Sequence, residues 1–138
     1  MKEVEVVCAI IYEQGSFFAC KRKDNELLGG KWEFPGGKRE KGEDLKETVI
    51  REVKEELNSI VSPYEYLGYT IYNYDNLGED SFTIKLHAFL CSLEFGMLEL
   101  KVHSAGYFMN YDKLLTLDFA EADKEIIQKL AKYDKRQK

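Results

Sequence analysis

Long apolar runs are missing from this 138-residue chain, and so are most residues that mark special architectures. No stretch approaches the roughly 18–20 apolar residues that a bilayer-spanning helix needs, so no membrane anchor is expected. The N-terminus lacks the basic-then-apolar pattern of a secretion signal. Only Pro35 and Pro63 supply proline, and there is no repeat, low-complexity tract or linker-like stretch, which argues against disorder. Cysteine is scarce too. Cys8, Cys20 and Cys91 are an odd set without metal-like spacing, each in an apolar run, and read as buried free thiols of a cytoplasmic protein. His87 and His103 have no ligand-like neighbours in sequence and are expected in structural roles. Positive charge is in deficit, 20 Lys and Arg against 25 Asp and Glu, so general affinity for a nucleic acid polymer is not expected.

The composition, 44% hydrophobic and 33% charged, fits one globular domain over 1–138 with a single core. Its acids are bunched: Glu40, Glu43, Asp44, Glu47, Glu52, Glu55 and Glu56 share one short segment. Ahead of them, Glu3 to Tyr12 reads as a buried strand and Ser16 to Lys21 as its hairpin partner across Glu13-Gln14-Gly15. A polar loop, 24–31, leads to a short strand over 32–34 that Pro35-Gly36-Gly37 is expected to stop. Helical spacing appears from Asp44 to Leu57, with Leu45, Val49, Ile50, Val53 and Leu57 as the apolar arc and Asn58 as a left-handed stop. Aromatic and β-branched runs over 61–74 and 81–93 predict a long hairpin joined through Asn76-Leu77-Gly78. A short strand over 106–109 and a last helix over 120–133 complete an α/β pattern: a mixed sheet sandwiched between helices.

On the first helix the acids are not arranged as a solvated face. Glu55 lies opposite the apolar arc, but Glu52 and Glu56 flank it and belong at the rim of the core. The three are neighbours at i+3 and i+4, where like charges repel by a few tenths of a kcal/mol per pair. A hard cation such as Mg²⁺ would remove that penalty and keep positions open for phosphate oxygens. Arg51 is spaced to reach Glu55 and orient it.

Gly37, Glu43, Arg51, Glu52, Val53, Glu55 and Glu56 together fill the pattern Gly, five residues, Glu, seven residues, Arg-Glu, aliphatic, any residue, Glu-Glu. This segment resembles the Nudix box, and the preceding WEFPGGK resembles its MutT-like branch. The resemblance implies an α/β/α sandwich and Mg²⁺- or Mn²⁺-dependent hydrolysis of a nucleoside triphosphate to a monophosphate and pyrophosphate. The substrate implied is 8-oxo-dGTP or another modified or cytosine nucleotide. It further implies that Gly36, Glu52, Glu55 and Glu56 hold the metal, that Glu52 activates water, and that Glu43 and Arg51 assist. Arg22 stands where such proteins place a nucleotide-contacting arginine, and Lys38 follows the glycine pair where it can meet phosphate. Phe34 is open to two readings, stacking on a base or packing in the core. Asp123 is likewise expected either to recognise the base or to cap the last helix.

Three departures stand out. Asn58 and Ser59 replace the pattern's closing Gly and aliphatic, with Ile60 expected to cover the latter by a one-residue shift. Val102 stands where related enzymes often carry a further acid, and Glu99 is the nearest substitute. Cleavage of another nucleoside diphosphate derivative such as an ADP-sugar, or non-catalytic nucleotide binding, are the alternative functions, and the sequence leaves monomer or homodimer open.

Overall fold

The Val- and Ile-rich start of the chain becomes β1 (Lys2–Glu13), buried on both faces from Val7 to Ile11. A central strand has no solvent face, which is why its sequence is a continuous apolar run instead of an alternation. The computed structural model describes residues 2–75 and 77–134. β1 pairs in parallel with β6 (Phe82–Phe95), and β6 pairs antiparallel with β5 (Ile60–Tyr74) at the sheet edge. Through Gln14 and Gly15, both at positive φ (50° and 87°), β1 turns into β2 (Ser16–Arg22). β2 then pairs with β3 (Trp32–Glu33) and with β7 (His103–Met109).

Helix α1 (Leu45–Leu57) lies against one face, and α3 (Glu121–Lys129) against the other. Val49, Val53 and Leu57 of α1 close one core with Val7, Ala9, Ile11 and Phe89. Ile126 and Ile127 of α3 close the second with Ile10, Leu86, Ala88 and Phe119. The expected α/β/α sandwich with a mixed sheet is therefore the architecture observed. No helix among the described residues is long and apolar enough to cross a membrane. The three cysteines are free and buried.

Local chemistry explains the bounds of α1. Asp44 is its N-cap and Glu47 answers it in a reciprocal capping box, with both hydrogen bonds at 2.8 Å. Asn58 ends the helix in the left-handed region (φ 48°, ψ 43°), as expected, and its N–H donates to Lys54 O. Ser59 is fully buried: its hydroxyl donates to Leu57 O and accepts from Leu98 N, both at 2.9 Å. A polar stitch thus stands where the pattern has an aliphatic. Ile60 does not replace it, being 36% exposed; Val61, 2% exposed, enters the core instead.

Several sequence expectations need correction. Ile50 is 38% exposed and off the apolar arc, whose place is taken by Thr48, held inward by bonds to Glu43 and Asp44 O. The strand β3 does stop ahead of Pro35, as expected, but the two glycines are not a plain turn: Gly36–Lys38 forms β4, antiparallel to Val6–Cys8 of β1. Glycine there answers a close approach, since a Cβ on Gly36 would meet the β1 backbone at Cys8 Cα, 2.8 Å away. β7 starts at His103, three residues early, and a short α2 (Tyr111–Leu114) precedes α3. The last helix is α only over Glu121–Lys129, followed by a 3₁₀ turn, Ala131–Tyr133. Of the expected hairpin turn, Asn76 lies outside the described residues; Gly78–Asp80 is a 3₁₀ turn.

Candidate active site

β4 and α1 stand side by side, and this pairing brings the glycines to the acids. A Cβ on Gly37 would fall within 2.8 Å of the farther Glu52 carboxylate oxygen and closer still to the nearer one. Gly36 N–H donates to Glu56 Oε1 at 3.2 Å. Arg51 is the hub of the group. Its Nη1 donates to Glu52 Oε2 at 2.7 Å and to both oxygens of Glu55 at 3.2 Å. Its Nη2 bonds Lys38 O and Glu43 Oε1, each at 3.0 Å, and its Nε bonds Glu43 Oε2. Those bonds hold the Glu43 carboxyl down at about 2.

Burial sets the other acids apart. Glu55 is more than half exposed, whereas the Glu52 side chain is 15% exposed and its pKa is raised, chiefly by desolvation working against Arg51. Glu56 is pushed up to about 8 by burial first, then by the charges of Glu33 and Glu52, against the pull of the Gly36 N–H. Among the described residues no three metal-ligating side chains converge on one point: Arg51 holds Glu52 and Glu55, and Gly36 holds Glu56. The donor set still fits a hard divalent cation. It offers oxygens only, and it keeps two partly desolvated carboxylates together on one helix edge at a cost that positive charge relieves.

Glu56 opens onto a cleft of about 200 Å³ whose wall includes Arg22, Glu33, Phe34, Gly36, Gly37 and Asp123. It continues past Val6, Leu27, Phe82 and Ile84 into a depression of about 360 Å³ that Lys38 helps to line. A roomier hollow of about 400 Å³ lies between Glu65 and the Lys129–Lys132 turn, away from the acids, so chemistry and not size singles out the cleft.

The fold thus unites Arg22, Gly36, Glu56 and Asp123 around one space, with Glu43, Arg51 and Glu52 beside it. Phe34 is only 3% exposed, with its ring 5.3 Å from Phe119, so it packs in the core and is not free to stack. Asp123 does not cap α3, whose N-cap is Ala120; its Oδ2 accepts from Phe34 N–H at 2.9 Å. Its carboxyl, 6% exposed, is raised to about 8 by burial and by the Glu33 charge. Glu99 sits at the far end of α1, paired with Lys101 (3.1 Å) and accepting from Asn58 (3.3 Å), and is held there instead of beside Glu52.

Sequence reasoning passed over Glu33. It bonds Arg22 and His103 and perturbs both Glu56 and Asp123. Its only mark in the sequence was its place in the run before the glycines, which says nothing of its neighbours. The structural role expected of His87 is as found, with Tyr66 and Glu5 on its two nitrogens at 2.9 and 2.8 Å.

The raised carboxyls predict a pH dependence. A native pKa above the ordinary carboxylate value means the folded chain holds more protons than the unfolded one between about pH 4 and 8, so stability falls as pH rises through that window. Thermal melts without metal should give a lower Tm at pH 8.5 than at pH 6. Millimolar divalent cation should recover more of the loss at the higher pH, because binding there displaces fewer protons. Glu56→Gln should flatten the metal-free profile; a Tm that climbs from pH 6 to 8.5 contradicts the assignment.

Residues 1–130 match the NUDIX domain family. The chain is 30% identical over 128 residues to the CTP pyrophosphohydrolase of Escherichia coli, covering 93% of this chain and 91% of that protein. Over 58 residues it is 40% identical to the nucleoside triphosphatase NudI of Salmonella schwarzengrund, 41% of each chain. Among solved structures, the MutT protein from Methanosarcina mazei superposes with a TM-score of 0.72 at 26% identity, over 99% of this chain and 96% of that one.

Proposed function

The chain belongs to the NUDIX family of nucleotide hydrolases, and from that premise we propose that it cleaves a nucleoside triphosphate to monophosphate and pyrophosphate with Mg²⁺ or Mn²⁺. The observation that carries this reading is the joining of Glu52 and Glu56 to the Asp123 cleft through β4. Gly36, Glu52, Glu55 and Glu56 are the residues that would hold the cation, which when bound neutralises phosphate charge and acidifies water. Glu52 takes the proton from the attacking water, a task suited to a carboxylate whose basicity burial has raised. Arg51 keeps Glu52 in position, and Glu43 keeps Arg51. Water oxygen joins the β-phosphorus and the bond from that phosphorus to the α,β-bridging oxygen breaks; the bridging oxygen leaves with the monophosphate. Arg22 meets a substrate phosphate from the cleft rim, with Lys38 farther out.

Asp123 reads the base. Protonated at neutral pH, its carboxyl offers one donor and one acceptor, which complement N3 and the 4-amino group of cytosine. The O6 and N7–H of 8-oxoguanine present the same pair, but the similarity to a CTP pyrophosphohydrolase favours cytosine. A pyrophosphate-release screen over canonical and oxidised nucleotides, with and without metal, decides it: metal-dependent turnover led by a cytosine triphosphate supports the reading, and no turnover on any triphosphate sinks it.

A second test concerns Asp123 alone. Asp123→Asn keeps a donor, an acceptor and the bond from Phe34 N–H, so KM at pH 7 should stay within about threefold. Asp123→Ala should raise KM about tenfold or more, since the base edge is left unpaired. Equal KM values in the two variants would remove Asp123 from base recognition.

A further inference from the structure

Glu33 faces two donors of unequal hold. His103 Nε2 lies 2.9 Å from Oε2, with the imidazole 3% exposed. Arg22 reaches the same carboxylate through one nitrogen, Nη1, at 3.3 and 3.4 Å, which is a long, shared contact and not a fork of two parallel bonds. Its Nε is spent on Leu27 O at 2.8 Å, and its Nη2 stands 4.0 Å from Glu26. His103 Nδ1 is buried without a partner among the described residues. A carboxylate only accepts, so the ring nitrogen facing it, Nε2, is the one that carries a proton and donates to Glu33.

We propose that His103 is a positioning residue for substrate binding: by occupying one oxygen of Glu33 it prevents Arg22 from closing a two-bond fork onto that carboxylate, so that Nη1 and Nη2, held only by long contacts, can turn to a substrate phosphate while Nε stays on Leu27 O. The inference rests on the reading of Arg22 as a phosphate contact. A carboxylate with both oxygens open is the natural partner of a guanidinium, and a closed pair on the cleft wall competes with the triphosphate for the same nitrogens. The sheet supplies the device. β3 and β7 both pair with β2, so the three residues come from neighbouring strands, with His103 opposite Arg22.

The test is steady-state kinetics on variants that keep volume. His103→Phe removes the donor and should raise KM about tenfold with kcat within about twofold, because the loss falls on ground-state and transition-state binding alike. His103→Gln, whose amide still donates, should lie nearer the parent. Adding Glu33→Gln to His103→Phe weakens the pair that trapped Arg22 and should bring KM back to within about threefold. A structural lesion at His103 would not be repaired by that second change. Unchanged KM in His103→Phe, or a double variant no better than the single, overturns the proposal. Should His103→Phe fail to fold, imidazole ¹⁵N NMR on the unaltered protein decides: a proton on Nε2 is expected, and an Nε2 without one overturns it. If the parent hydrolyses no nucleoside triphosphate, the functional reading fails, while the NMR result still judges the His103–Glu33 bond.

Discussion

Glu52→Gln is expected to lower kcat by roughly 100- to 10,000-fold, the range a positioned general base contributes, with KM and folding little altered. Glutamine keeps the shape of the side chain and an oxygen for Arg51 Nη1, now 2.7 Å from Glu52, so the surrounding bonds persist. What goes is the charge and the proton affinity. The companion Glu56→Gln should cost as much activity by a different route. It mimics the protonated form that burial favours at neutral pH, so the fold should tolerate it, but it no longer offers the cation an anionic oxygen. Kinetics over a metal titration separate the two: saturating Mg²⁺ or Mn²⁺ should restore part of the rate in Glu56→Gln and almost none in Glu52→Gln. A full rate in either variant removes that residue from the proposed chemistry.

The glycine pair gives the second large effect, and it divides activity from stability. Gly37→Ala should fold, since what its Cβ meets is the flexible end of Glu52, yet kcat should fall by about 100-fold because that carboxylate must swing away. Gly36→Ala meets backbone instead: Cys8 Cα lies 2.8 Å from the new Cβ, and the Val7 carbonyl is closer still. Neither can move without breaking the β1–β4 ladder, so this variant should lose several kcal/mol of stability and express poorly. Circular dichroism and rate measured on both variants check the split. An active Gly37→Ala would mean Glu52 works from another position than the one it occupies here.

The acid helix was legible from the sequence in detail because everything that shapes it is local. The helix bounds, the Asn58 stop and the edge placement of Glu52 and Glu56 follow from spacing at 3.6 residues per turn, and the Asp44–Glu47 box, which the sequence reading passed over, is local too. Ile50 failed for the same reason in reverse. Periodicity marks an arc, but the width of the arc that is covered depends on the sheet beneath, and there Thr48 was buried in its stead. Phe34 and Asp123 show the next limit: each had two sequence readings, and packing left Phe34 in the core and turned Asp123 from the helix end to the Phe34 N–H.

By itself, then, the sequence determined the first hairpin, the acid-edged helix α1 and the pattern of box residues. These are set by alternation, capping and spacing within about 20 residues, interactions that the chain carries with it wherever it folds. Only the tertiary structure decided that β4 lies along β1, that Glu33 joins Arg22 to His103, and that Glu56 and Asp123 share one cleft. Those neighbours are 11 to 70 residues apart in the chain for Glu33. Contacts over such distances come from strand register and from the shape of two cores, and the burial that raises these carboxyl groups exists only once both cores have closed.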